Sequence, residues 1–194
     1  MHQASGASTL CDELLATIFL MDSYNSKEAP WNLAAVCKDW RRICLFTPEL
    51  WTRFDVTREH FGYDVVDKIC IADELGISRC CRKLERSQAC PIHVDVNSSR
   101  KPTGSCSFSM LRALAQHAHR WKLFRARTYD EDDAATLLQL LPPSLCFSTL
   151  QRLDVDCAAY SCRFALENHF TSQSFPAITS LRLKGWGGST ASST

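Results

Sequence analysis

Between Leu10 and Trp51 apolar residues recur at helical spacing. Leu14, Leu15, Ile18 and Phe19 make an i, i+1, i+4, i+5 stripe within Asp12–Met21, the pattern of an α-helix with one apolar face. Thr9 and Asp12 read as its capping pair. A polar stretch follows, and the next helix opens at Pro30, where a missing N–H costs nothing. Leu33, Val36, Cys37, Trp40, Ile43 and Cys44 then keep a period of about 3.6, with Lys38, Asp39, Arg41 and Arg42 on the opposite side. Pro48 begins a last turn bearing Leu50 and Trp51. These apolar positions outnumber what so short a segment can bury among themselves. The surplus must pack against the rest of the chain or against a partner, and we read the segment as a docking module.

Farther along, the period changes. Tyr63–Ser87 has helical spacing, with Val66, Ile69, Cys70, Cys80, Cys81 and Leu84 apolar and a break expected near Gly76. Strand and helix signals then alternate: strand at Pro91–Val96, helix at Ser107–Ala118, strand at Trp121–Arg127 and helix at Asp130–Leu141. The last of these helices has acidic residues in its first turn, favourable to the helix dipole, and stops at Pro142-Pro143. Leu150-x-x-Leu153-x-Val155 and Ile178-x-x-Leu181-x-Leu183 are strands with one shared spacing. Aligning Val94, Phe124, Leu153 and Leu181 gives steps of about thirty, twenty-nine and twenty-eight residues, the length of a long leucine-rich repeat with one strand and one helix per unit. A doubly wound βαβ sheet gives similar signals. The regular period and the lack of a Gly-rich βα turn favour a short βα solenoid with a parallel sheet, hence an α/β fold.

In that register the leucines point inward and the residues between them line one open, concave face. That face would carry His93 and Asp95, then Arg125 and Arg127, then Arg152, Asp154 and Asp156, then Arg182 and Lys184. Singly each is an ordinary solvated residue; as a set they are the candidate substrate-binding surface. The tail from Gly185 to Thr194 offers neither a covering helix nor a polar capping repeat, so the repeat region is expected to be incomplete at its C-terminus.

Composition narrows the function classes. With 22 Lys and Arg against 21 Asp and Glu the net charge is +1, which gives no pull toward nucleic acid or an anionic membrane. The apolar run Leu14–Met21 is too short to span a bilayer and follows Asp12 and Glu13 instead of a basic stretch, so it is not a signal peptide. The 11 cysteines are odd in number and irregular in spacing, and Cys37 and Cys44 fall on apolar helix positions. That is the pattern of reduced, buried thiols in the cytoplasm or nucleus. Zinc would draw on Cys80, Cys81, Cys90 and His93, with Cys157 and Cys162 later. Two closely spaced pairs are lacking, so no metal and no cofactor is expected. His117, His119 and His169 could serve a cysteine nucleophile, but no context pairs them with one.

The first fifty residues resemble an F-box, whose usual form runs Leu-Pro-x-Glu-Leu-Leu-x-x-Ile-Phe, Val-Cys-x-x-Trp-Arg and Pro-x-Leu-Trp. The matching positions are Leu10, Glu13, Leu14, Leu15, Ile18 and Phe19, then Val36, Cys37, Trp40 and Arg41, then Pro48, Leu50 and Trp51. Cys11 stands where the family has Pro. More loosely, Leu84–Val96 and His119–Phe124 resemble fungal F-box proteins with leucine-rich-like repeats. The resemblance implies a trihelical F-box over residues 8–54, a helical linker region over 55–90 and repeats over 91–194. It implies adaptor contacts through Leu10, Cys11, Leu14, Leu15, Ile18, Phe19, Leu33, Val36, Cys37, Trp40, Pro48, Leu50 and Trp51. The partner would be a Skp-family adaptor and, through it, the cullin–RING scaffold of an SCF ubiquitin ligase. The chain would then be a non-catalytic substrate receptor. The alternative is a protein-interaction scaffold with no link to ubiquitin.

Overall fold

The computed structural model describes residues 10–26, 28–57, 71–97, 107–128, 147–157 and 175–185. The chain divides into two compact units. One runs to Arg53 and takes in Lys83–Cys90; the other comprises Phe54–Arg82 and the chain from Pro91 onward. Residues 55–90 are thus shared between the two.

The first unit holds α1 (Asp12–Asn25), α2 (Ala29–Val36), α3 (Lys38–Phe46) and a helical turn at Pro48–Trp51. Leu15, Phe19, Ile43, Cys44, Leu50 and Trp51 form its core, with Ala16, Leu20, Trp31, Leu33, Ala34 and Trp40 packed around them. The expected single helix after Pro30 is two. Cys37 takes extended backbone (φ −154°, ψ 174°), ending α2 and serving as N-cap of α3, where its Sγ accepts from Trp40 N–H. Arg41 Nε donates to Ala34 O at 2.9 Å and satisfies a carbonyl left open by the break. The bend lets both Trp40 and Ile43 reach the core.

α1 begins at Asp12 as the sequence reading has it and runs past Met21 to Asn25. Its N-cap is Cys11, which makes no side-chain capping bond; Thr9 lies outside the described residues. Asp12 instead makes a two-pronged bond to Arg42 at 2.7 and 3.1 Å. This holds the Asp12 carboxyl below its ordinary range and raises Arg42. At the other end Arg53 donates to Tyr24 O at 2.7 Å, closing the last turn of α1.

A five-stranded sheet organises the second unit, in the order β1 (Arg53–Thr57), β2 (Ile92–Asn97), β3 (Trp121–Thr128), β4 (Arg152–Cys157) and β5 (Ser180–Gly185). β2 to β5 pair in parallel, each with the next in sequence. Among the described residues the order does not reverse, and these strands form no switch point of the doubly wound kind. Val94, Phe124, Leu153 and Leu181 lie side by side across four strands, as their spacing requires. Ile92, Val94, Phe124, Ala126, Leu153 and Val155 are buried, while Leu181 in the same column is 55% exposed. The β1 strand, with Phe54 and Val56 buried, has no counterpart in the sequence reading.

Two further helices precede strands. α4 (Ile71–Arg86) runs unbroken through Gly76, contrary to the expected break, and a Cβ there would come within 3.3 Å of Met110 Cε. α5 (Ser107–Ala115) occupies the crossover that parallel β2 and β3 need, burying Leu111, Leu114 and Ala115. At the start of β3 the register shifts opposite Ile92 and His93, so Trp121 pairs with Ile92 and Leu123 with His93. Trp121 thereby turns inward, and its indole N–H donates to Leu114 O at 3.1 Å. The expected helix at Asp130–Leu141 lies outside the described residues. Among the described residues no helix is long and apolar enough to cross a membrane.

Candidate functional site

Two surfaces gather the residues singled out by sequence. On α1 the apolar positions divide between opposite sides. Leu15 and Phe19 are buried, whereas Leu14, Ile18 and Met21 are 53%, 49% and 64% exposed. These three fall at i, i+4 and i+7 and form one ridge along the helix. The module's core closes without them, so the ridge is surplus apolar surface of the kind that marks interaction sites. Leu10, Val36, Leu45 and Phe46 are also exposed.

The thirteen adaptor-contact candidates therefore separate. Leu10, Cys11, Leu14, Ile18, Val36 and Cys37 lie at the surface. Leu33, Trp40 and Pro48 are half-buried, Trp40 with its ring 4.8 Å from that of Phe19. Leu15, Phe19, Leu50 and Trp51 are core residues. In the free chain these four are packed inside and hold the module together, unlike the exposed candidates. Sequence reasoning passed over Met21, although it continues the Leu14–Ile18 spacing, and Phe46, which ends α3 in a fully exposed position.

The last turn of α4 belongs to this same unit. Arg86 lies over Trp31 at 4.6 Å and over Trp51 at 4.4 Å, while Trp31 and Trp51 meet edge to face at 4.9 Å. Lys83 Nζ donates to Arg53 O. Beneath them the Cys44 thiol is pushed up to about 11 by burial, against the pull of Arg86. Spacing could not have shown these contacts, which join residues far apart in sequence.

The second surface is the open face of the sheet. All nine candidates there occupy β2 to β5, and register sets Asp95, Arg125, Asp154 and Arg182 in one row. Arg125 reaches Asp95 at 3.1 Å and Asp154 at 3.5 Å; Arg152 and Arg182 lie 3.7 and 3.9 Å from Asp154. Asp154, with its side chain 13% exposed, is the hub of three arginines. Three of the cations proposed for recognition thus already have an internal partner. The next row holds Asn97, Arg127, Asp156 and Lys184 in the same register. A shallow depression is lined by Arg125, Arg127, Asp154, Asp156, Arg182 and Lys184. His93 stands in a third row, beside Leu123 and Arg152.

A repeated turn sets these strands in place. Phe147 and Leu150, and again Phe175 and Ile178, sit three residues apart, with the second N–H bonded to the first carbonyl at 3.1 and 3.3 Å. The two Phe rings stack at 4.9 Å and 10°, and Trp121 packs on Phe147 at 5.6 Å. The signal F-x-x-[LI]-x-x-L-x-[VL] is legible at Phe147–Val155 and Phe175–Leu183, three residues ahead of the leucine spacing.

Among the described residues no cluster of three or more His, Cys, Asp or Glu could hold a metal ion. Cys162 and His169 lie outside those residues. His117 and His119 are neighbours, their rings 6.3 Å apart. Burial, Arg120 and His119 together hold His117 below its ordinary range. No protein-family model, no curated protein and no solved structure matches the chain.

Proposed function

We propose that this chain is the substrate receptor of an SCF-type ubiquitin ligase, with an F-box in its first unit and leucine-rich-like repeats in its second. The observation that carries the reading is the ridge of Leu14, Ile18 and Met21, left exposed on a helix whose other side completes a core. It coincides with the segment that resembles an F-box, where apolar residues beyond the core have a partner to meet. The sequential parallel sheet and the repeated Phe–Leu turn support the repeat reading.

In this role no residue of the chain performs chemistry. The F-box docks the Skp-family adaptor and the sheet face holds the substrate. Tethering the substrate near a charged ubiquitin-conjugating enzyme raises its effective concentration and makes the transfer nearly intramolecular. Co-expression with a Skp-family adaptor and a cullin tests this. Both should co-purify with wild-type protein and be lost with Leu14→Ala/Ile18→Ala. Absence of the adaptor from wild-type protein would sink the ligase reading and leave the stand-alone scaffold.

A further inference from the structure

The charged rows of the sheet face differ in one respect. In the first, Asp95, Arg125, Asp154 and Arg182 alternate in sign and bind one another. In the second, Arg127, Asp156 and Lys184 alternate in the same register, yet among the described residues none of the three makes an ion pair. Arg127 and Lys184 are exposed. The face as a whole carries five cations against three carboxylates, and the paired row absorbs most of the negative charge. The face is therefore positive, and the cations on it that no carboxylate of the face engages are those of the second row.

Spacing adds to this. Neighbouring strands lie roughly 4.8 Å apart, so Arg127 and Lys184, on β3 and β5, are separated by roughly 10 Å at the backbone. An extended peptide presents side chains on one edge roughly 7 Å apart, two residues on, and flexible cationic side chains span the difference. We propose that the second row is a subsite for an extended acidic segment of a partner protein. Arg127 and Lys184 each take one of two anionic side chains, carboxylate or phosphate, spaced two residues apart. This rests on the reading that the sheet face holds the substrate. A polynucleotide fits less well, because Asp154 and Asp156 interrupt the cations and would repel an unbroken phosphate backbone. A peptide can skip them.

The test titrates the full chain with four labelled probes: alternating Glu–Ser, Gln–Ser and phosphoserine–Gly peptides, and a short single-stranded DNA. The Glu or the phosphoserine peptide should bind, more weakly as salt rises, and whichever binds identifies the anion. The Gln peptide should not bind. Arg127→Gln/Lys184→Gln should weaken binding by at least about tenfold with no change in Tm. Failure of both anionic peptides to bind, binding of the Gln peptide as tight as that of the better anionic one, or no loss in the double variant overturns the proposal. Tighter binding of the DNA, lost in the same variant, overturns it in favour of a nucleic-acid site. Substrate captured by affinity purification separates this subsite from the parent reading. Capture that survives the double variant but is lost with Arg152→Glu/Arg182→Glu refutes the second-row subsite alone. Capture that survives both refutes the sheet face as the substrate surface.

Discussion

The guanidinium of Arg86 lies 4.4 Å from the ring centre of Trp51, at the far end of a helix that begins some twenty residues after the N-terminal unit. Trp31 is 4.6 Å away as well, so the guanidinium sits in the corner made by the two edge-to-face indoles. Cation–π contacts contribute about 0.5–2 kcal/mol each, more as the cation is desolvated. Arg86→Ala should therefore destabilise the first unit by roughly 1–3 kcal/mol, and Arg86→Lys by less. Urea unfolding of the full chain followed by Trp fluorescence measures this. Equal stability of Arg86→Ala and wild type would show that the α4 turn is not part of that unit's core.

The two sides of α1 should respond oppositely to truncation. Leu15→Ala or Phe19→Ala removes a buried side chain and should cost about 2–5 kcal/mol. Leu14→Ala/Ile18→Ala should stay within about 0.5 kcal/mol per site of wild type and still abolish adaptor capture. Thermal denaturation alongside pull-down distinguishes them. A destabilised ridge variant would place those residues in the core.

Cys11→Pro introduces the residue usual in the F-boxes that this segment resembles. Cys11 has φ −69° and ψ 156°, within the range a proline ring imposes. The substitution should leave the Tm unchanged or raise it, and adaptor affinity should be equal or tighter. A loss of stability would mean that the Cys11 N–H is needed.

Removing Asp154 leaves Arg125, Arg152 and Arg182 close together without their shared carboxylate. Asp154→Asn should cost about 1–3 kcal/mol, and added salt should recover part of it by screening the arginines. Chemical denaturation at two salt concentrations reads both effects. Insensitivity to salt would show that the row is held by shape alone.

The Cys44 thiol ties stability to alkaline pH. Its folded pKa of about 11 exceeds the ordinary thiol value of 9.0, so the folded state keeps the proton longer. Its contribution is fully present below about pH 9 and is lost as pH rises through 11, amounting to at most about 3 kcal/mol. Cys44→Ala should lower stability at pH 7 through the cavity it leaves, and should flatten the decline between pH 9 and 11. An identical alkaline decline in both proteins would assign it to other groups.

From the sequence alone, the strands that matter could be aligned to the residue. Parallel neighbours of near-equal repeat length must bring equivalent positions together, and Val94, Phe124, Leu153 and Leu181 do meet in register. The alternation of side chains along a strand then placed His93, Asp95 and the charged residues of β3 to β5 away from the buried columns. Other features were beyond periodicity. Leu14 and Leu15 are both apolar and adjacent, so which one faces inward depended on where α3 and Trp51 lie. The break at Cys37 was hidden because the apolar spacing continues through it. The pairing of three arginines with Asp154 follows from strands brought together by the fold, and the seating of Arg86 against Trp31 and Trp51 from a contact across distant chain. Local pattern determines which residues are apolar and on which side of an element they fall; only tertiary packing decides which side is covered and which charge is already answered.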